Sequence, residues 1–166
     1  QVIHRTADVG LPKAQSAQRY VNELDPNISV DAINVRVDQN NARELFEGHH
    51  IVVDGTDNIP TRYLIDETCI ELGIPWVYGS VYRFEGQVSV FNFKGGPTYQ
   101  DLFPEAPPDH LLPSCSEAGV LGVLTGLIGS LQVNEIIKII VGIGRPLSGQ
   151  LLIYDALEST QKILKF

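Results

Sequence analysis

The sequence contains no methionine, only two cysteines and no excess of positive charge. Its 20 acidic residues outnumber its 12 basic ones, which gives a formal net charge of −8. A nucleic-acid-binding domain usually carries a basic face, so this composition argues against that class of protein. Nucleotides are not excluded, because one lysine and a few backbone amides suffice to hold a triphosphate. Since no methionine begins the chain, we expect processing or truncation.

Cysteine is too scarce for a disulfide scaffold. Cys69 and Cys115 lie far apart, and no CxxC motif occurs. This usage is typical of a reducing compartment. The first residues show no signal peptide, so we expect a cytoplasmic protein.

Long hydrophobic runs are also missing. The longest apolar stretch, Val120–Leu131, is shorter than the roughly 18 residues that a membrane span needs, and it contains Thr125, Ser130 and three glycines. The stretch therefore predicts a buried helix, and we expect no association with a membrane.

Helical and strand patterns alternate along the first half of the chain, which predicts parallel crossovers. The predicted helices are Leu11–Leu24, Asn40–Glu47, Thr61–Leu72 and Glu117–Val141. The predicted strands are Ile28–Val37, Ile51–Val53, Pro75–Tyr82, Gly86–Phe93, Leu151–Asp155 and Gln161–Phe166, with a proline-rich loop at Lys94–Pro113. This order predicts one α/β domain over residues 1–166, with a Rossmann-like mixed sheet flanked by helices. No GxGxxG turn occurs, which argues against a nicotinamide-dependent enzyme.

Lys13 lies in the first turn of the first predicted helix. A cation is unfavourable there, because the N-terminal end of a helix already carries partial positive charge. The placement becomes favourable when an anion binds at the helix end. Two interpretations therefore stay open, a phosphate-binding lysine and a solvated surface lysine.

Asp57 and Asn58 follow the apolar strand that ends at Val53. In open α/β sheets, ligands bind beyond the carboxyl ends of the strands. A carboxylate at this place suits Mg²⁺, and either residue could instead cap the helix that follows, with Pro60 in its first turn. The two roles are compatible, and the residues alone do not choose between them.

Cys115 stands between the proline-rich loop and the start of the last long helix. The N-terminal end of a helix lowers the pKa of a thiol, which makes a nucleophile conceivable. No histidine adjoins it as a base, and His110 is five residues away. A buried or incidental cysteine is the other interpretation.

Five further side chains have plainer roles. Cys69 and the aromatic pair Trp76 and Tyr78 are expected to pack in the core. Arg62 and Arg83 could pair with carboxylates, which the sequence does not identify.

Six motifs in order resemble the MoeB/ThiF/HesA family, the bacterial relatives of the adenylation domain of ubiquitin-activating enzymes. They read VGLPKAQSA, VVDGTDNIPTRYLID, YRFEGQVSVF, LFPEAPP, PSCSEAGVLGVLTGLIGSLQVNEIIKI and LSGQLLIYDAL. The resemblance covers nearly all of the chain. Each motif alone is weak, but six in the right order and spacing are specific.

The resemblance implies ATP-dependent adenylation of the C-terminal glycine of a ubiquitin-like sulfur-carrier protein, after which a sulfurtransferase yields a thiocarboxylate. Such carriers serve pathways that include molybdopterin and thiamin biosynthesis. By the same resemblance Lys13 binds the triphosphate, Asp57 positions Mg²⁺ and the reacting phosphate, and Asn58 adjoins the nucleotide. Cys115 matches a cysteine that some members use in sulfur transfer. Family members are homodimers, which implies the same for this chain.

Two departures from the family pattern shape these expectations. Members with structural zinc carry a CxxC before the LFPE-like motif, where this chain has Thr98–Asp101 without cysteine; we therefore expect no structural zinc. The sequence resembles the subgroup often fused to a rhodanese domain.

The family also begins with a βαβ nucleotide-binding unit and a Gly-rich turn, which we expect this chain to lack. We accordingly expect the chain alone to bind ATP weakly and to catalyse little. The alternative is a catalytically silent scaffold that binds a carrier or a complementary subunit.

Overall fold

The computed structural model describes residues 3–106 and 119–166, and the chain divides into two compact units, Gln1–Val37 and Asp38–Phe166. The first unit contains a short 3-10 helix, Thr6–Asp8, followed by helix α1, Lys13–Leu24. The predicted first helix is confirmed, and its start lies at Lys13 because Pro12 occupies the N-cap position with extended ψ.

The predicted strand Ile28–Val37 is wrong. Residues 29–37 have no regular secondary structure, and the side chains of Ile28, Ile33 and Val35 are exposed. Alternation of apolar residues favours an extended backbone, but a strand also requires hydrogen bonds to a neighbouring strand. No strand among the described residues pairs with this segment.

The second unit is built on a five-stranded mixed sheet. Its helices are α2 Ala42–Phe46, α3 Ile59–Leu72, α4 Tyr99–Leu102 and α5 Gly122–Val141. Its strands are β1 Val52–Val53, β2 Trp76–Tyr82, β3 Glu85–Phe91, β4 Gln150–Asp155 and β5 Thr160–Lys165. The strands are ordered β1 to β5; β1 and β2 are parallel and the other pairs antiparallel. The predicted mixed α/β sheet is confirmed, whereas α4 interrupts the predicted loop Lys94–Pro113.

Helix α3 begins and ends at residues whose chemistry favours those positions. The Oδ1 of Asn58 accepts a hydrogen bond from the backbone N–H of Thr61 at 3.0 Å, and Pro60 lies in the first turn. Gly73 ends the helix with φ +67°, a left-handed conformation that glycine adopts without steric cost. The helix therefore starts immediately after the loop that carries Asp57.

One face of the sheet packs against α3 through a cluster of aromatic side chains. Trp76 is completely buried, and its ring centre lies 5.3 Å from those of both Phe91 and Tyr99 and 5.8 Å from that of Tyr78. Cys69 of α3 is buried in the same cluster. The core roles predicted for Cys69, Trp76 and Tyr78 are confirmed, and burial raises the pKa of the Cys69 thiol to about 12.

The opposite face of the sheet packs against α5. The side chains of Leu124 and Ile128 cover Val88 of β3. Two glycines permit the close approach, because a Cβ at Gly79 would lie 2.4 Å from the side chain of Gln132 and one at Gly86 would lie 2.4 Å from that of Ile128. Helix α5 therefore packs closer to β2 and β3 than a larger residue at Gly79 or Gly86 would allow.

The prediction of a buried helix in this region holds for one face only. The buried residues of α5 are Leu124, Ile128, Gln132 and Glu135, whereas Val123 and Ile140 are about 74% and 70% exposed. By length and composition α5 could cross a membrane. Its inner face instead binds the sheet and its flanking loop, since Glu135 accepts a hydrogen bond from the backbone N–H of Leu147 at 2.9 Å.

Candidate functional site

Lys13 is the first residue of α1, and its side chain is exposed. The N-cap residue, Pro12, provides no side-chain hydrogen bond, and the first turn contains no acidic residue. The amides of this turn are therefore not neutralised by any side chain of the turn itself. A lysine beside such a helix end adds positive charge where an anion would be stabilised.

A buried network ties the segment before Lys13 to α1. The carboxylate of Asp8, 7% exposed, accepts hydrogen bonds from the backbone N–H of Arg5 at 2.7 Å and from the hydroxyl of Ser16 at 3.1 Å. Arg19 forms an ion pair with the same carboxylate. Ser16 and Arg19 belong to α1, so Asp8 attaches the segment that precedes Lys13 to this helix. The sequence did not reveal this role.

Asp57 lies in the loop between β1 and α3, with its side chain exposed. Of the two candidates for capping α3, Asn58 takes that role, so the carboxylate of Asp57 is not used by the helix. Within the described residues, the Asp57 side chain forms no hydrogen bond or ion pair. The carboxylate of Asp57, just beyond the carboxyl end of a parallel strand, is therefore available to bind a ligand.

The base of this loop is held by a buried pair of opposite charges. The Nε of Arg62 lies 3.6 Å from the Oδ2 of Asp54, and both side chains are largely buried. Burial raises the pKa of the Asp54 carboxyl, while hydrogen bonds from Thr56 and the charge of Arg62 oppose that rise. The sequence left the carboxylate partner of Arg62 open, and the structure identifies Asp54.

The residues of the loop can be compared with the needs of a metal ion. Among residues 3–106 and 119–166, no group of three or more His, Cys, Asp or Glu side chains could hold a metal. Mg²⁺ differs from zinc in this respect, because it usually takes one or two carboxylates and completes its shell with phosphates and water. A single free carboxylate at Asp57 fits Mg²⁺ bound together with a triphosphate.

Three of the four residues predicted for the site lie in the described part of the chain. Asp57 and Asn58 are adjacent at the start of α3 in the second unit, while Lys13 belongs to the first unit. Cys115 lies outside the described residues, so its role stays a prediction. The assignments to Lys13, Asp57 and Asn58 rest on their local geometry and on the motifs.

Comparisons with known proteins place this geometry in context. A model described as the ThiF family matches residues 1–166. The chain is 47% identical over 165 residues to "Sulfur carrier protein adenylyltransferase" of Thermus thermophilus, covering 96% of this chain and 61% of that protein. It is 46% identical over 168 residues to "Probable adenylyltransferase/sulfurtransferase MoeZ" of Mycobacterium tuberculosis, covering 99% and 43%. The chain therefore spans less than two thirds of the length of these relatives.

A solved structure supports the same fold. The crystal structure of E. coli MccB with MccA-N7isoASN aligns with a TM-score of 0.82 at 14% identity, over 99% of this chain and 51% of that one. At this identity the likeness concerns the fold alone.

Proposed function

Because this chain belongs to the ThiF family over residues 1–166, we propose that the protein containing it adenylates the C-terminal glycine of a ubiquitin-like sulfur carrier with ATP. In this reaction an oxygen of the carrier's carboxylate attacks the α-phosphorus of ATP. The bond between that phosphorus and the oxygen leading to the β-phosphate breaks, and pyrophosphate leaves with the electron pair. The product is a carrier acyl-adenylate.

The residues of this chain have distinct proposed roles in that reaction. Lys13 places a positive charge beside the amides of α1, where it stabilises the negative charge of the phosphates. Asp57 presents its carboxylate for Mg²⁺, and Asn58 both caps α3 and adjoins the nucleotide. When bound, Mg²⁺ would neutralise phosphate charge in the transition state.

The observation that carries this proposal is the uncommitted Asp57 carboxylate beyond the end of β1, in a chain whose relatives are named adenylyltransferases. The test is an exchange assay between radiolabelled pyrophosphate and ATP, using the complete protein that contains this chain and a ubiquitin-like carrier ending in Gly-Gly. We expect exchange that depends on the carrier and on Mg²⁺. A complete protein that binds the carrier but exchanges no pyrophosphate is a silent scaffold, and the proposal is then wrong.

We propose a second step in which the outer persulfide sulfur of a sulfurtransferase attacks the acyl carbon and displaces AMP with its electron pair. A second thiol then attacks the S–S bond of the resulting acyl disulfide, which releases the carrier thiocarboxylate and leaves a disulfide on the protein. Support comes from the name of the M. tuberculosis relative, which combines adenylyltransferase and sulfurtransferase. In this scheme Cys115 participates in sulfur transfer only. We expect Cys115→Ala to keep pyrophosphate exchange within about twofold of wild type and to reduce thiocarboxylate formation, measured by mass spectrometry of the carrier. A loss of exchange in Cys115→Ala would place the thiol in the first step instead.

We also propose that the protein is a homodimer with the outer face of α5 in the interface. This face exposes several large apolar side chains, which favours burial against another surface. They are Val123, Leu127, Val133, Ile137, Ile140 and Val141.

Ile140→Glu should raise the dimer dissociation constant by at least about tenfold, because the new carboxylate would have to be desolvated on association. Analytical ultracentrifugation of the complete protein measures this constant. Ile163→Glu on β5, where the wild-type side chain is 50% exposed, is the matched control and should leave the constant unchanged. Equal constants for wild type and Ile140→Glu would exclude α5 from the interface.

The cellular setting is proposed on chemical grounds. Cys69 is a free, buried thiol, and the scarcity of cysteine suits a reducing compartment. We propose that the protein acts in the cytoplasm on carriers of sulfur-transfer pathways such as molybdopterin or thiamin biosynthesis.

A further inference from the structure

Arg62 reaches from α3 to the backbone of the loop that carries Asp57. Its Nη2 donates hydrogen bonds to the carbonyl oxygen of Thr56 at 2.9 Å and to the hydroxyl of Ser80 at 3.1 Å. The guanidinium also lies over the ring of Tyr78, 5.4 Å from its centre. Arg62 is 9% exposed, so its position is set by packing as well as by these bonds.

The same loop is held from two other directions. The Oδ1 of Asp54 accepts a hydrogen bond from the backbone N–H of Thr56 at 2.6 Å. The side-chain amide of Gln132, on α5, donates to the carbonyl oxygen of Asp54 at 2.8 Å and to that of Val77 at 3.2 Å. Both polar groups of the Thr56 backbone are therefore bound by side chains, and the strand end that precedes the loop is bound to α5.

Asp57 thus lies between two fixed neighbours. Thr56 is held through its N–H and its C=O, and Asn58 is held through its cap to Thr61. The Asp57 side chain itself is exposed and forms no hydrogen bond or ion pair within the described residues. The loop constrains the backbone on either side of this carboxylate and leaves the carboxylate available.

The buried pair is a poor device for stability alone. At 3.6 Å, Arg62 Nε and Asp54 Oδ2 form no hydrogen bond, and both atoms lack another hydrogen-bond partner among the described residues. A buried ion pair with incomplete hydrogen bonding stabilises a fold weakly, because desolvation of both charges offsets their attraction. Its evident effect is on geometry, since it brings Arg62 to the Thr56 carbonyl and Asp54 to the Thr56 amide.

We propose that Arg62 is a positioning residue for adenylation, which fixes the Thr56 carbonyl and thereby orients Asp57 toward the reacting phosphates. This inference rests on the proposed function. A misplacement of about 1 Å at a reacting group costs on the order of a hundredfold in rate. Loss of Arg62 should therefore lower kcat, although Arg62 only supports the backbone of the loop and Asp57 is the residue proposed to take part in the reaction.

The test uses the complete protein and three variants. Arg62→Gln keeps a polar side chain but loses the charge and the reach to Thr56, whereas Arg62→Lys keeps the charge and a donor nitrogen but loses the planar guanidinium. Arg43→Gln removes an exposed arginine that pairs with Glu71 on α3 at 3.4 Å, and it serves as the matched control. We expect kcat for pyrophosphate exchange to fall about 30- to 100-fold in Arg62→Gln and less in Arg62→Lys, with the KM for ATP within about threefold. Arg43→Gln should match wild type.

Hydrogen exchange provides a readout that does not depend on activity. In Arg62→Gln, the Thr56 amide, which donates to Asp54 in wild type, should exchange at least about tenfold faster, while the amides of β2 and β3 keep wild-type protection. Normal kcat in Arg62→Gln would overturn the inference. So would faster exchange spread evenly over α3 and the strands, because that pattern indicates a general loss of stability.

The two proposals can fail separately. If the wild-type protein shows no pyrophosphate exchange, the proposed function is wrong, and with it the positioning role of Arg62. If wild type is active and Arg62→Gln is equally active, only the positioning role is wrong.

Discussion

Asp57→Ala, introduced into the complete protein, should lower the rate of pyrophosphate exchange by on the order of 10²–10³-fold or more. The carboxylate of Asp57 is the one side-chain group that the β1–α3 loop leaves exposed and uncommitted, since Asn58 caps the helix. Its removal takes away the proposed ligand for Mg²⁺ and leaves the loop backbone intact. The fold should therefore be unchanged, as judged by the melting temperature, while activity is lost.

The control for this change is Glu67→Ala, which removes an exposed carboxylate that lies on α3 and outside the loop. It lowers the local negative charge by the same amount and should leave exchange within about twofold of wild type. Asp57→Asn is informative as well, because it retains one oxygen and loses the charge. If Asp57→Ala exchanges pyrophosphate at a near-normal rate, Asp57 is not part of the reaction and the motif-based assignment fails.

Local rules of capping and turn formation made much of the second unit predictable. Asn58, Pro60 and Gly73 each have a physical preference for the position they occupy, and α3 lies between Asn58 and Gly73. The strands around Trp76 and Val88 are also where their apolar patterns indicated. These signals act within a few residues, so one sequence suffices to read them.

Other features depend on partners that are remote in sequence. The segment Ile28–Val37 alternates like a strand but is irregular, because alternation does not provide a neighbour with which to pair. The link from Gln132 to Asp54 joins residues 78 positions apart. The hydrogen bond from Arg62 to the Thr56 carbonyl is similar, because it forms only when α3 has folded and placed Arg62 beside the loop.

Helix α5 illustrates how composition misleads when two faces have different surroundings. Its apolar run predicted complete burial, yet only one side packs on the sheet. The glycines that admit this close packing, Gly79 and Gly86, lie on the strands rather than on the helix. An apolar outer face on a helix already anchored to a sheet favours a second packing surface, which is the physical basis of the proposed dimer.

Lys13→Ala should also lower exchange by on the order of 10²–10³-fold, and it should do so without loss of stability. Lys13 begins α1, where its charge opposes the helix dipole and where neither a cap nor an acidic side chain compensates. Replacement by alanine removes that repulsion and introduces a better helix former, so α1 should become more stable by about 0.3–1 kcal/mol. Thermal unfolding and pyrophosphate exchange on the same preparation measure both effects.

Opposite signs for activity and stability distinguish a phosphate-binding lysine from a solvated surface lysine. Lys162→Ala on β5 removes another exposed lysine and should leave exchange unchanged. Lys13→Met keeps the aliphatic stem and loses the charge, so it should be as inactive as Lys13→Ala if the charge matters. Near-normal exchange in Lys13→Ala would support the interpretation of a solvated surface lysine. The unfavourable charge at the start of α1 would then lack a functional explanation.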